Sequence, residues 1–311
     1  MILKVGTRGS VLALAQTNCI LKKLKQAHPD AEFKIQIIKT VGDKEEAKPL
    51  FTIDCKGIFE KEIDQLVVKG EIDFAVHSLK DVPIVEQQVG TILAAIPKRD
   101  SQHDVFISKG KLPLNALPPG AIVGTGSLRR MAEIKYIYPD LDVRPIRGNV
   151  DTRLNKVRKG EFVGAVIAEA GLERMNLTNE ITERLPLDQF PSAAGQGALA
   201  IVTKEGNESV LSFLRTLEDK ASRAEITAER SLVLQLEGGC RVPIGAVAHA
   251  NGEDLSLFGC IFSLEEHKKI SASAQGKLAD AEELGIKVGE NLIGQGAKDF
   301  EKEWRQKYGT W

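Results

Sequence analysis

Short apolar runs alternate along this chain with longer stretches whose apolar residues recur at helical spacing. Residues 2–6 read as a short buried strand, a Gly-Thr turn follows, and Ser10 can cap a helix whose apolar side includes Leu14, Leu21 and Leu24 before Pro29. "FKIQII" (33–38) alternates as a strand, "GIFEKEIDQLVVKG" (57–70) is helical and ends at glycine, and "IDFAVHSL" (72–79) is strand-like again. Strands alternating with helices predict a largely parallel sheet. The same grammar recurs in "AIVGTGSLRRMAEIKYIYP" (121–139), which gives strand, Gly-Thr turn, serine and helix, closed by Pro139 much as Pro29 closes the first. A strand at 141–146, a helix at 150–159 and the apolar strand "FVGAVIA" (162–168) follow, so the pattern predicts two similarly built α/β domains. The apolar stretch at 198–203 is one more buried strand, returned to the first domain. From Asp219 to Gly238 the pattern is one long helix. "IGAVAHANGEDLSLFGCIFS" (244–263) then alternates around Asn251-Gly252, a hairpin signal, and the tail returns to helical spacing, which together predict a small α+β domain.

At 311 residues and 42% hydrophobic the chain is long enough to bury more than one core. No segment approaches the roughly 18 apolar residues of a membrane span, and the start carries no charged leader, so a cytoplasmic protein is expected, with no membrane partner. A formal net charge of −1 argues against a generally basic nucleic-acid binder, so where the arginines fall matters more than their number. Cys19, Cys55, Cys240 and Cys260 form no CxxC pair, and neither a metal site nor a disulfide framework is expected.

The candidate chemistry sits where strands give way to helices. Arg8 and Ser10 occupy the first such turn, and Thr125, Ser127, Arg129 and Arg130 the second, positions where free N–H groups and the helix dipole favour an anion. "RPIRGNVDTRL" adds Arg147, Gly148, Asn149 and Arg153 at a third. Arginines converging on one crevice fit a substrate rich in carboxylates; alternatively the serines are plain caps and the arginines solvated charges. "HSLKDVP" places Lys80 and Asp81 at the carboxyl end of an apolar strand, where open sheets present ligand groups. An ionised Asp81 among cations can stabilise a positive intermediate or exchange a proton with one; an ion pair with Lys80 is the plainer reading. "PSAAGQGALAI" (191–201), with Gln196 between glycines, is a hinge, a close backbone approach or a simple loop. Cys240, flanked by Gly239 and Arg241, is placed as an accessible thiol whose thiolate the arginine favours, whereas the other three cysteines read as packing residues.

Taken together, "GTRGSVLALAQ", "KGIFEKEID", "VHSLKDVP", "VGTGSLRR", "RGNVDTRL", "AAGQGALAI" and "ERSLVLQLEGGCRVPIG" closely resemble the porphobilinogen deaminase (hydroxymethylbilane synthase) family, in order from about residue 3 to residue 247. The resemblance implies two periplasmic-binding-protein-like (type II) α/β domains with the active cleft between them, plus a small C-terminal α+β domain. The expected divisions are 1–98 with about 198–218, then 103–191, with 99–102 and 192–197 as hinges, and 221–311. It implies a transferase that condenses four porphobilinogens head to tail on a covalent dipyrromethane cofactor, then releases 1-hydroxymethylbilane by hydrolysis. The product would pass to uroporphyrinogen-III synthase, and a monomer is expected. By motif match Cys240 carries the cofactor and Asp81 is the catalytic aspartate. Arg8, Arg129, Arg130, Arg147, Arg153 and Arg174 would hold cofactor and substrate carboxylates, with Ser10, Gln16, Lys80, Thr125 and Ser127 assisting. Lys56, Lys61, Gly148, Asn149 and Gln196 are further cleft candidates.

The sequence departs from the family pattern at Asp54, Cys55, Gly126 and Glu169, the last a carboxylate beside an anion-binding cleft. Two other classes of function are compatible with parts of the pattern. Two α/β lobes with arginine clamps can capture a small dicarboxylate without reacting. A thiol enzyme attacking substrate directly through Cys240 would need a base such as His77 or His249, to which no motif links it.

Overall fold

The computed structural model describes residues 1–44, 59–84, 89–237, 242–264 and 268–309. The first lobe contains β1 (Ile2–Arg8), α1 (Val11–Ala27), β2 (Glu32–Ile38), α2 (Val41–Lys44), α3 (Lys61–Lys69), β3 (Phe74–Ser78) and β4 (Thr91–Ala95). The second contains β5 (Asp104–Ser108), β6 (Ile122–Thr125), α4 (Leu128–Ile137), β7 (Asp142–Pro145), α5 (Val150–Lys159), β8 (Gly164–Ala168), α6 (Glu169–Arg174) and β9 (Glu183–Arg184). The chain then returns through β10 (Leu199–Lys204) and α7 (Glu208–Leu214) before α8 (Lys220–Gln235), β11 (Ile244–Asn251), β12 (Asp254–Phe262), β13 (Lys269–Lys277), α9 (Ala281–Gly294) and α10 (Ala297–Tyr308).

The two lobes match strand for strand. One sheet runs β2-β1-β3-β10-β4 and the other β7-β6-β8-β5-β9. In each, the first three strands are parallel and the fourth runs against them: β10 between β3 and β4, β5 between β8 and β9. The expectation of a largely parallel sheet therefore holds for three strands and stops at the fourth, which has crossed from the other lobe. Leu199 at the start of β10 faces Ser78 at the end of β3, and Asp104 at the start of β5 faces Ala168 at the end of β8. A strand entering from the carboxyl ends of the parallel strands can only run antiparallel to them.

Side-chain caps start several of the helices. Ser10 accepts from the Ala13 amide (3.2 Å), Ser127 caps α4, and Asp219 accepts from the Ser222 amide (2.8 Å) at the start of α8. The buried face of α1 differs from the apolar side read in the sequence. Ala13, Gln16, Thr17, Ile20 and Leu24 are buried, while Leu14 and Leu21 are only partly so. Two polar residues turn inward because they have partners there: Gln16 donates to Ser78 Oγ (2.8 Å) and Thr17 to Thr7 Oγ1 (2.8 Å).

The C-terminal unit is an antiparallel sheet β11-β12-β13 packed on α8 and α9 through a core that includes Leu232, Leu257, Val288 and Leu292. Its hairpin turns at Asn251–Asp254. Trp304 secures α10, with its ring buried and its indole N–H donated to Phe262 O (2.8 Å).

Candidate active site

The turns after β3, β6 and β7 meet in the crevice between the lobes: Lys80 and Arg130 share Gln196, and Arg153 feels the charges of Arg130, Arg147 and Asp81. Across the crevice α6 approaches α1, where a Cβ on Gly171 would lie 3.7 Å from Leu12 Cδ2. Asp81 ends a single 3₁₀ turn, Leu79–Asp81, and its side chain is exposed.

Behind the crevice lies a buried polar network centred on Gln196. Its Oε1 accepts from Lys80 Nζ (3.1 Å) in one lobe and from Arg130 Nη2 (3.1 Å) in the other. Its Nε2 donates to Gln102 O (2.7 Å) and Asp104 Oδ1 (2.8 Å). Asp104 also accepts from Arg130 (2.6 Å) and Arg129 (2.8 Å). Burial alone would raise the Asp104 carboxyl, but these two guanidinium groups overcome it and hold the acid far below the usual range. Lys80 is pushed down to about 8 by burial, with Arg130 adding to the shift against Asp81 and Asp104.

The arginines divide into two kinds. Arg129 is a cross-link: its Nη1 meets both Glu133 oxygens at 2.8 Å and Pro191 O at 2.7 Å, and its Nη2 meets Asp104. Arg153 is exposed to a different balance. Its Nε donates to Gly148 O (2.8 Å), no carboxylate pairs with it among the described residues, and burial with the charges of Arg130 and Arg147 pushes it down to about 10, Asp81 opposing. Arg130 and Arg147 thus both bear on Arg153; Arg130 is itself paired with Asp104 (2.6 Å), so it is Arg153 that lacks a carboxylate partner among the described residues. Thr125 and Ser127 line the turn beside them, the Ser127 amide donating to Thr125 Oγ1 (3.2 Å). Asn149 begins α5, and Gly148 adopts φ 104°, where a Cβ would collide with Thr152. At Gly126 a Cβ would sit 3.3 Å from Ile146 O and 3.6 Å from an Arg153 nitrogen, so glycine keeps this corner open.

Arg8 pairs with Asp43 through Nε (3.1 Å) and Nη2, and its guanidinium lies 4.2 Å over the Phe59 ring. Any substrate carboxylate at Arg8 must share or displace Asp43. Lys61 is the first residue of α3 and is exposed, whereas Lys56, Asp54, Cys55 and Cys240 lie outside the described residues.

Arg174 turns toward the crossing strands: it meets Asp100 (2.9 and 2.7 Å) and Gly197 O (2.6 Å). Glu169 has its partners there as well, accepting from Ser101 Oγ and from Arg184 Nε (2.9 Å), so this carboxylate anchors a crossover rather than confronting the anion site. Gly197 (φ 85°) packs against the same crossover segment, where a Cβ would fall 2.4 Å from Ser101 O. The Gly-Gln-Gly stretch is thus a close backbone approach, to the chain itself.

Several residues of this site escaped the sequence reading. Glu229 of α8 is fully buried and accepts from Arg99 (2.7 and 3.0 Å), the Gly195 amide (2.8 Å) and the Ala248 amide (2.9 Å), tying both crossovers to the C-terminal unit. Arg230 beside it donates to Val82 O (3.0 Å) and Pro83 O (2.6 Å), holding the segment that follows Asp81; burial pushes it down to about 10. Their sequence signal was their place at the head of "ERSLVLQLEGGCRVPIG", just before the apolar run "LVLQL". Asp104, an acid heading the apolar strand "VFIS", carried the same one. Among the described residues no helix is long and apolar enough to cross a membrane.

A family model for the porphobilinogen deaminase dipyromethane cofactor binding domain matches residues 3–212, and one for the porphobilinogen deaminase C-terminal domain matches residues 223–294. A probable porphobilinogen deaminase of Nitrosopumilus maritimus is 44% identical over 307 residues, covering 99% of this chain and 98% of its own. The porphobilinogen deaminases of Brevibacillus brevis (44% over 297 residues, 95% of each chain) and Thermus thermophilus (42% over 300 residues, 96% and 98%) are similar throughout. The substrate binding domain of a putative molybdenum transporter from Clostridium difficile overlays with TM-score 0.46 at 10% identity, over 71% of this chain and 93% of its own.

Proposed function

The chain belongs to the porphobilinogen deaminase family, transferases that make hydroxymethylbilane for tetrapyrrole biosynthesis, and from that premise we propose how its own residues carry the reaction. The observation that carries the proposal is that Lys80 and Arg153, from opposite lobes, both feel the charge of Asp81, with Arg130 close to each of them and Arg147 close to Arg153. Each pyrrole of substrate and chain bears an acetate and a propionate. A crevice lined by several cations, Arg153 among them with no carboxylate partner among the described residues, fits such groups, and it fits a dipyrromethane that carries four of them.

Bound through a thioether to Cys240, the dipyrromethane supplies a primer with a nucleophilic pyrrole carbon. Arg130, Arg147, Arg153 and Lys80 grip carboxylates at the lobe faces. Ser10, Thr125, Ser127, Gly148 and Asn149 offer hydroxyl and backbone groups at the helix starts. Arg8 exchanges Asp43 for a carboxylate of the ligand, and Lys56 and Lys61 contribute positive charge at the rim. Gln16 holds Ser78 at the end of β3, upstream of the Lys80-Asp81 turn. Asp81, held by Arg230 through the next two carbonyls, presents its carboxylate to the positive charge that develops as ammonia leaves. Arg129 and Arg174 act one step back, the first by fixing Asp104 and the second by fixing the crossover at Asp100.

Gln196 links the two lobes directly beneath this charge pair and keeps Lys80 and Arg130 in register. The protein works as a cytoplasmic monomer and delivers its product to uroporphyrinogen-III synthase. With the family assigned, capture without chemistry is no longer the competing account. The decisive experiment is the intact mass of the purified protein against its 33.9 kDa chain, followed by peptide mapping. An excess of two linked pyrroles on the Cys240 peptide is expected, and Cys240→Ser should lack it. An unmodified chain from cells that make porphobilinogen would remove Cys240 as the attachment point.

A further inference from the structure

The crevice is built for anions, yet porphobilinogen also carries an aminomethyl group, which is a cation at neutral pH and the part that departs. We propose that Glu60, together with Asp81, forms the subsite that receives the ammonium group of the incoming porphobilinogen. This rests on porphobilinogen being the substrate and extends that reading to a residue it does not assign.

Glu60 stands just before α3, next to Phe59, whose ring carries the Arg8 guanidinium at 4.2 Å, and it lies near enough to Asp81 to feel its charge. Only 4% of its surface is exposed, and its Oε1 is buried with no hydrogen-bond partner. The backbone N–H groups of Phe59 and of Glu60 itself help to hold the carboxylate. The charged groups around it are Asp64 of its own helix, His77 of β3, which bonds Asp64 at 2.9 Å, Asp81 on the following turn, and Arg8 over Phe59. Among the described residues, the cations of the flanking turns are engaged elsewhere, Arg8 by Asp43 and Lys80 by Gln196. Burial first, then the charges of Asp81 and Asp64, push Glu60 up to about 8.

A buried carboxyl with an orphaned oxygen beside other acids needs a cation with hydrogen-bond donors. A metal ion is a poor occupant, because no three metal-ligating side chains among the described residues are grouped to hold one. A primary ammonium suits the place. It brings three donors and arrives on a molecule whose carboxylates the arginines already grip. On binding, Glu60 gives its proton to solvent and pairs with the ammonium. When the C–N bond breaks, its electron pair stays on nitrogen, ammonia departs neutral, and the positive charge remains on the carbon framework beside Asp81. Glu60 then takes a proton back from solvent, ready for the next molecule.

The test compares the full-length enzyme with its Glu60→Gln variant, using porphobilinogen and an analogue with hydrogen in place of the aminomethyl group as a competitive inhibitor. For Glu60→Gln we expect KM at pH 8 to rise about tenfold, the loss of one charge-assisted hydrogen bond, with the Ki of the analogue unchanged. In the wild type KM should fall as pH rises from 6 to 8, because the subsite must shed a proton to bind, and the analogue's Ki should not follow it. A KM within twofold of wild type, or a KM and Ki that rise by the same factor, would overturn the proposal. Should Glu60→Gln not fold, the wild-type comparison stands alone, and a ratio of Ki to KM that is flat between pH 6 and 8 would overturn it. If the wild type neither consumes porphobilinogen nor binds the analogue, it is the substrate reading that fails.

Discussion

Removing the carboxylate of Glu229 should cost the protein more than removing any surface charge, and the structure gives the size. The Glu229 side chain is 0% exposed and that of Arg99 is 3% exposed, so the pair is desolvated. In Glu229→Ala the Gly195 and Ala248 amides lose their acceptor at about 1–3 kcal/mol each, and Arg99 is left as a buried charge without its main partner. Breaking such a pair from one side costs about 3–5 kcal/mol, and the two contributions overlap because one carboxylate serves both. A loss on the order of 5 kcal/mol is expected, against a total of about 5–15 kcal/mol for a typical domain. Glu229→Gln keeps the shape and one acceptor but turns an NH2 toward a donor, so it should lose roughly half as much. Urea denaturation followed by circular dichroism gives the stability change, and amide exchange at Gly195 and Ala248 shows whether the crossover loosens first. A Glu229→Ala protein within about 1 kcal/mol of wild type would refute the picture of Glu229 as the joint between both crossovers and the C-terminal unit.

Three further outcomes are expected. Asp81→Asn should fold and keep its covalent adduct yet lose tetrapyrrole formation by on the order of 10² to 10³; near-normal turnover would take Asp81 out of the mechanism. Lys80 carries its charge below about 8 and loses it above, so anion binding should weaken and KM rise on the alkaline side, while Lys80→Arg should carry that limb to higher pH. An unmoved limb would mean that another group titrates. Arg129→Ala should destabilise the fold by about 3–5 kcal/mol because it strands the buried Glu133 and takes from Asp104 one of its two arginines, whereas Arg153→Ala should melt near the wild type and raise KM; differential scanning calorimetry alongside kinetics separates the two.

Much of the molecule was legible beforehand, and the reasons are local. A strand, a Gly-Thr turn and a capping serine at Ser10 and again at Ser127 specify strand-to-helix junctions through short-range hydrogen bonds and periodicity alone. The same signals, with the glycines at 70 and 160 in left-handed conformation, closed α3 and α5 where expected. Arg129 shows the limit of such reading. It stands beside Arg130 in the first turn of α4 and both meet Asp104, yet Arg129 goes on to Glu133 and Pro191 O while Arg130 goes on to Gln196 and Val166 O. Glu169 is the same lesson in reverse: a carboxylate that looked misplaced beside an anion site is turned away toward Ser101 and Arg184.

By itself, then, the sequence determined the elements, the repeat of one α/β plan and the residue types gathered at strand ends, because each depends on neighbours within a turn or two. Tertiary structure alone decided that β5 and β10 cross between lobes and run antiparallel. It alone decided which arginines are tied to Asp43, Asp100 and Asp104, and that Glu60 is left buried with an orphaned oxygen beside Asp81. Charge pairing and burial are settled between residues up to about 130 positions apart, as Arg99 and Glu229 are, and no periodicity along the chain encodes that distance.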